Sequence, residues 1–241
     1  MLKNENPMRI YAIIPARGSS KRIHKKNVKS LLGKPLLTYS IEQAKSSLYI
    51  DKVFVSSEDS KILRLAKKNG ANFIKRPLSL AQDHTSTEKV IKHTLVELKK
   101  KADFPTHVVI LQPTSPLRYP EDIDRAILHL IKTKSDSLLS VCKNTRFIWS
   151  QNRRPLNYEI NHRPRSQNKK SDFIENGSIY ITSVSAFNKF KNRLGGKIVF
   201  YVQPPECGFE IDDYLDWDIC QFLMKRYYKT NVHRFEQNFK Q

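Results

Sequence analysis

With 241 residues, the chain is long enough for one sizeable core, because single cores stop growing only near about 250 residues, and 39% hydrophobic residues are too many for a disordered composition. Lys and Arg number 43 against 23 Asp and Glu, a formal charge of +20. That balance suits phosphate-rich partners without choosing among them, since much of it (Lys67, Lys68, Lys99, Lys100, Lys101) reads as solvated helix faces. The three cysteines, Cys142, Cys207 and Cys220, form neither a CxxC pair nor a Cys/His cluster, which argues against a disulfide framework and a zinc site. Residues 1–8 read as a polar extension, and no apolar run approaches the roughly 18 residues of a membrane span, so the expectation is a cytoplasmic protein with no membrane partner.

Along the chain, Arg9–Ile14 reads as a strand, followed by a long basic loop. A helix opens at Pro35, with Leu36, Leu37, Tyr39, Ile41 and Ala44 on its apolar face. Lys52–Ser56 is a second strand, and Ser60–Asn69 a helix stopped by Gly70. Asn72–Ile74 is a third strand; Thr85 and Glu88 propose a capping box for a helix to about Lys100. His107–Leu111 has the continuous apolar character of a buried parallel strand, and Pro120 to Asp122 start a helix to about Lys132. After the strand Ser137–Val141 the pattern breaks: Lys143–Asp172 is rich in Arg, Asn, Lys and Pro and reads as an inserted excursion. Strands at Ser178–Thr182 and Lys197–Val202 and a helix from about Tyr214 to Tyr228 complete residues 9–241 as a single domain. Strands alternating with helices predict a doubly wound, mostly parallel α/β sheet of Rossmann-like nucleotidyltransferase type.

In such sheets ligands bind beyond the carboxyl ends of the strands, which directs attention to four segments. Residues 15–27, from Pro15 to Asn27, mix small residues with Arg17, Lys21, Arg22, Lys25 and Lys26, a composition for holding phosphate that is neither GxxxxGK[ST] nor GxGxxG. Residues 111–118 form a polar loop made rigid by two prolines. Residues 175–180 carry an Asn-Gly pair, by itself most often a hairpin turn. Glu210 and Asp212 stand two apart, so an extended backbone points both carboxylates the same way, as Mg2+ requires; the competing reading is N-capping of the last helix by Asp212 or Asp213.

Together these motifs resemble the CMP-sialic acid synthetases, the acylneuraminate cytidylyltransferases. The resemblance runs from Ile10 to Trp217 through Ala16-Arg17, Ser20-Lys21, Lys26-Asn27, Ser56–Asp59, residues 80–83 with Thr85 and Ser86, residues 112–118, Arg163–Gln167, and Asn176-Gly177 with Ile179-Tyr180. Arg22 and His24 replace a common Gly and Pro, and Glu210 replaces a common Asp. The resemblance implies Mg2+-dependent attack of a nonulosonic acid's anomeric hydroxyl on the α-phosphorus of CTP, with pyrophosphate leaving. It assigns Arg17, Lys21 and Asp212 to catalysis, Ala16, Gly18, Ser19, Ser20, Asn27 and Asp83 to CTP, and Gln112, Ser115, Arg118, Arg165, Asn176 and Tyr180 to the sugar acid. Glu210 and Asp212 become the Mg2+ ligands, and the excursion becomes a homodimer contact reaching the neighbouring subunit's site. The rival readings are a cytidylyltransferase for the eight-carbon 3-deoxy-manno-octulosonate and a nucleic-acid-binding relative; the first is disfavoured by the Lys26-Asn27 and Asn176-Gly177 motifs, and no nucleic acid is expected.

Overall fold

The structure is a computed structural model describing residues 8–238 except 166, 170 and 171, so nearly all of the N-terminal extension 1–8 and part of the Arg163–Gln167 motif lie outside the described residues. β1 (Ile10–Pro15) leads into the basic loop and a small hairpin, β2 (Ser30–Leu31) with β3 (Lys34–Pro35). α1 (Leu36–Ser46), β4 (Lys52–Ser57), α2 (Ser60–Lys68), β5 (Asn72–Lys75), α3 (Thr87–Lys100), β6 (His107–Leu111) and α4 (Asp122–Thr133) then alternate as the sequence pattern predicts. The chain continues through β7 (Ser137–Asn144), β8 (Asp172–Ser183), α5 (Val184–Phe190), β9 (Ile198–Gln203) and α6 (Tyr214–Asn238).

The main sheet has the order β5-β4-β1-β6-β8-β7-β9, parallel except for β8, which runs antiparallel to both of its neighbours. Because both faces are covered, β1 and β6 carry continuous apolar runs, Ile10–Ile14 and Val108–Leu111, rather than alternating. Ala12, Ile14, Val109 and Leu111 pack against Leu37 and Ile41 of α1 and Ile123 and Ile127 of α4. Ile13, Val108 and Ile110 point the other way, onto Ile91 and Leu95 of α3 and Phe187 of α5. Each such large aliphatic side chain contributes roughly 1.5–3 kcal/mol by leaving water, which holds the strand ends, and the loops beyond them, in place.

Several sequence-based boundaries shift for local reasons. Pro35 belongs to β3 with extended ψ, so α1 opens one residue later. The cap of α3 is Ser86, whose Oγ accepts from Lys89 N at 3.4 Å, rather than Thr85. Asn176-Gly177 is not a hairpin turn: it lies inside β8, where the register against β7 slips between Leu139 and Val141, and Gly177 (φ +63°) takes up the irregularity. β7 runs on to Asn144, so the excursion spans 145–171. It packs on itself: Phe147 meets Tyr158 edge-on at 4.9 Å, Arg163 lies 4.1 Å over the Phe147 ring, and Asn157 Nδ2 donates to Arg146 O at 3.0 Å. The last helix continues ten residues past the expected Tyr228.

Candidate active site

A cavity of about 540 Å³ opens beyond the carboxyl ends of β1 and β6. Among the predicted residues it brings together Arg17, Ser20, Lys21, Asn27, Asp83, Gln112, Glu210 and Asp212, from four separate segments of the chain.

The basic loop is fastened from beneath. Asn27, buried, donates through Nδ2 to Arg17 O at 2.8 Å, which folds the loop back on itself. Ala16 is buried and continues the β1 ladder, its N–H donating to Ser56 O at 3.0 Å. Gly18 N donates to Glu58 Oε1 at 2.6 Å, and a Cβ on Gly18 would lie 2.6 Å from Asp59 Oδ2, so no side chain fits there. Asp59 is itself fixed as the cap of α2, accepting from Lys61 N and Ile62 N. Ser19 is exposed and outside the cavity lining. The cations of this loop face carboxylates across the cavity: Arg17 Nη1 and Lys21 Nζ meet Asp83 at 2.5 and 2.6 Å, while Lys26 and Arg22 meet Asp212 at 3.4 and 3.6 Å. Asp83, which the resemblance assigns to CTP, closes on Lys21 and Arg17, and these cations hold its carboxyl below the usual range.

Four residues predicted to touch the sugar acid instead stand behind the wall. Arg118 is buried and donates from Nε to Ser178 O at 2.9 Å, from Nη1 to Ser40 and Gln43, and from Nη2 to Gln112 O at 2.6 Å; it braces the loop that presents Gln112. Asn176, also buried, donates to Gln203 Oε1 at 2.8 Å and Cys207 O at 3.1 Å and accepts from Ser140 at 2.6 Å, which pins the β8 bulge. Ser115 donates to Glu210 Oε1 at 3.1 Å. Tyr180 is buried, with its hydroxyl donating to Glu175 and its ring 4.5 Å beneath the Arg193 guanidinium. Arg165 is exposed, and it is not among the residues lining the cavity.

The two carboxylates of the fourth segment have distinct supports. The cap of α6 is Asp213, not Asp212: Asp216 N donates to Asp213 Oδ1 at 3.0 Å while Asp216 Oδ2 accepts from Asp213 N and Asp212 N, a reciprocal box. The Asp212 side chain is thereby left to the cavity. Glu210 is raised above the usual carboxylate range, first by burial and then by the charge of Asp212, with Ser115 opposing the shift. It fits against Gly177 so closely that a Cβ there would fall 1.5 Å from Oε1.

One residue that sequence reasoning left without a role completes the wall. Arg76, just past β5, is buried and held by Glu58 through Nε and Nη2 at 3.1 and 3.0 Å, and it lines the cavity with Gln82, Thr85 and Thr87. The signal for Arg76 was its place, immediately after a parallel strand, where ligand-reading residues gather. Among the described residues no three His, Cys, Asp or Glu side chains cluster as a ready-made metal cage, and no helix is long and apolar enough to cross a membrane.

A mostly parallel α/β sheet carrying loop cations opposite a carboxylate pair offers a polyphosphate fixed charges of both signs beyond its strand ends. The family model described as "Cytidylyltransferase" matches residues 11–237. The chain belongs to the cytidylyltransferase family, and its relatives bear out the resemblance to CMP-sialic acid synthetases. It is 32% identical over 223 residues to N-acylneuraminate cytidylyltransferase B of Danio rerio, covering 90% of this chain and 51% of that protein, so it spans about half the length of that relative. It is 30% identical over 226 residues to a pseudaminic acid cytidylyltransferase of Campylobacter jejuni, covering 90% of this chain and 97% of that one. The solved structure of a CMP-2-keto-3-deoxy-manno-octonic acid synthetase complexed with CTP superposes with a TM-score of 0.69 over 91% of this chain and 99% of that one; at 15% identity this likeness shows the fold.

Proposed function

We propose that the chain is an enzyme that transfers CMP from CTP to a sialic-acid-like nonulosonic acid, releasing pyrophosphate. The observation that carries this reading is the meeting, in one cavity of a cytidylyltransferase-family chain, of Arg17 and Lys21 with Glu210 and Asp212. Arg17 and Lys21 receive the triphosphate, and the fastened backbone at Gly18 to Ser20 sets their spacing. Arg76, immobilised by Glu58, presents fixed donors to the acceptor edge of the base, while Gln112, aimed by Arg118, reads the sugar acid. Glu210 and Asp212 fit a divalent cation: Glu210 is a half-buried carboxylate with one neutral hydrogen-bond donor, a state that an added positive charge relieves. Bound there, Mg2+ supplies charge neutralisation for the phosphates and fixes their geometry. The chain's own residues align the attacking hydroxyl with the α-phosphorus and keep the leaving pyrophosphate paired with cations.

The nonulosonic class is favoured over the eight-carbon acid because relatives naming nine-carbon acids match at 30% identity or better across nearly the whole chain, whereas the octulosonate enzyme shares the fold at 15%. The protein acts in the cytoplasm as a homodimer in which Arg165, exposed on the excursion, grips the sugar carboxylate in the partner's site; its exposure outside this chain's own cavity lining supports that assignment.

Incubation with CTP, Mg2+ and a panel of nonulosonic and octulosonic acids, read as pyrophosphate release, tests the reading. Turnover with a nine-carbon acid, preference for CTP over UTP, ATP and GTP, and loss in excess EDTA are expected. Equal use of all four nucleotides, full activity in EDTA, or DNA or RNA binding that outcompetes CTP at physiological salt sinks it.

A further inference from the structure

The carboxylate of Asp83 divides its two oxygens between two cations of the cavity: Oδ1 lies 2.5 Å from Arg17 Nη1 and Oδ2 lies 2.6 Å from Lys21 Nζ. One anion bridging two cations in this way takes the donors that a phosphate group would use. The carrier of Asp83, the segment between β5 and α3, is fixed at both ends: Arg76 is held by Glu58, and Ser86 caps α3. Between them Thr85 N donates to Gln82 O at 3.0 Å and Gln82 Nε2 to Leu78 O at 3.0 Å, so the carboxylate is delivered by a shaped turn.

Resting on the reading of this cavity as a CTP site, we infer that Asp83 is an internal counter-anion that a polyphosphate must displace from Arg17 and Lys21, and that returns to them as pyrophosphate leaves. The charge logic is direct. Without Asp83, Arg17 and Lys21 would repel each other with no anion between them, since Asp212 pairs with Arg22 and Lys26 and Glu58 with Arg76. Asp83 relieves that repulsion in the empty state and so subtracts from the gain on binding a polyphosphate. The residue sets how tightly triphosphate is held and how readily its fragment departs; a residue that instead accepted hydrogen bonds from ribose hydroxyls would act on the nucleoside and be indifferent to inorganic polyphosphate.

The full chain and its Asp83→Asn, Asp83→Ala and Asp83→Glu variants, with melting as the control for folding, are titrated calorimetrically with inorganic tripolyphosphate and separately with CTP. Two exposed ion pairs at stake predict that the Asn and Ala variants bind tripolyphosphate about tenfold more tightly than wild type at low salt. The gap shrinks as salt screens it, Glu stays near wild type, and pyrophosphate inhibits the neutral variants at correspondingly lower concentration. Tripolyphosphate bound no more tightly by the neutral variants than by wild type overturns the inference. Weaker CTP binding with unchanged tripolyphosphate binding overturns it too and makes Asp83 a ribose ligand. A wild-type protein that binds neither CTP nor tripolyphosphate overturns the CTP reading itself, which separates that failure from this one.

Discussion

Replacing Gly177 with alanine places one methyl group where the structure has a carboxylate oxygen. The added Cβ would fall 1.5 Å from Glu210 Oε1 and 2.5 Å from its Cδ, and the residue would keep φ near +63°. The left-handed backbone costs an L-residue roughly 1–2 kcal/mol. To restore an ordinary contact the carboxylate must retreat by more than an ångström, which breaks its hydrogen bond from Ser115 (3.1 Å) at about 1 kcal/mol. The sum, about 2–3 kcal/mol, corresponds to a melting temperature lowered by roughly 5–10 °C in a domain of this size. Function should suffer more if Glu210 holds the metal as proposed, because displacing such a group by about an ångström costs on the order of 100-fold. Melting curves together with kcat across a Mg2+ titration measure both effects. Repeating the substitution in a Glu210→Ala background removes the clash and should leave the backbone cost alone. Wild-type turnover in Gly177→Ala, or the same loss of stability in both backgrounds, would refute the claim that Gly177 exists to make room for Glu210.

Three further outcomes follow from the same geometry. Asp212→Asn should lower kcat by about 100-fold or more while the melting temperature holds, because Asp213 supplies the cap of α6 and the amide keeps the shape without the charge; wild-type turnover at ordinary Mg2+ removes Asp212 from the metal site. Glu210→Gln should abolish turnover yet leave the metal-free protein as stable as wild type or more so. Burial raises the Glu210 pKa in the folded state, so its ionisation opposes folding, the wild type loses stability as pH rises through that raised value, and the advantage of Gln, read from melting in EDTA, should widen over that interval. Arg165→Ala should raise KM for the sugar acid far more than KM for CTP, and mixing it with an inactive Asp212→Asn chain should restore some activity by complementation; equal effects on both substrates contradict its assignment.

The alternation of strand and helix was legible because each central strand is apolar on both faces and each helix carries one apolar stripe, as Val108 to Leu111 and Ile123 to Leu130 illustrate. The cavity's cations were legible for the same reason that they work, being charged residues that no core would accept. Burial of polar groups was not legible. Arg118 and Asn176 look in sequence like ligand-reading residues, yet their donors are spent on Ser178, Ser40, Gln203 and Cys207, partners that are distant along the chain. Conversely, the Glu58–Arg76 pair spans eighteen residues, and nothing in the sequence links its two side chains. The choice between Asp212 and Asp213 as cap needed Asp216, whose reciprocal bonds settle it.

The direction of β8 explains how a motif at the beginning of a strand reaches a site built at strand ends. In a fully parallel sheet, Asn176-Gly177 would lie at the far end from the loops that follow β1 and β6, because a strand's entry lies opposite its neighbours' exits. β8 runs antiparallel, and its register places Ile179 beside Leu111 and Glu175 beside Val141. The residues preceding Ile179 therefore emerge next to Gln112, at the exit end of β6. There the bulge turns Gly177 toward Glu210, Asn176 anchors the turn to Gln203 and Cys207, and Ser115 meets both the bulge and the carboxylate. One reversed strand thus joins the 112–118 loop to the 210–216 segment across the cavity. The Glu210 carboxylate, proposed above as a metal ligand, is only as well positioned as the bulge itself, so substitutions at Asn176, which does not line the cavity, should weaken Mg2+ binding in the same direction as those at Gly177.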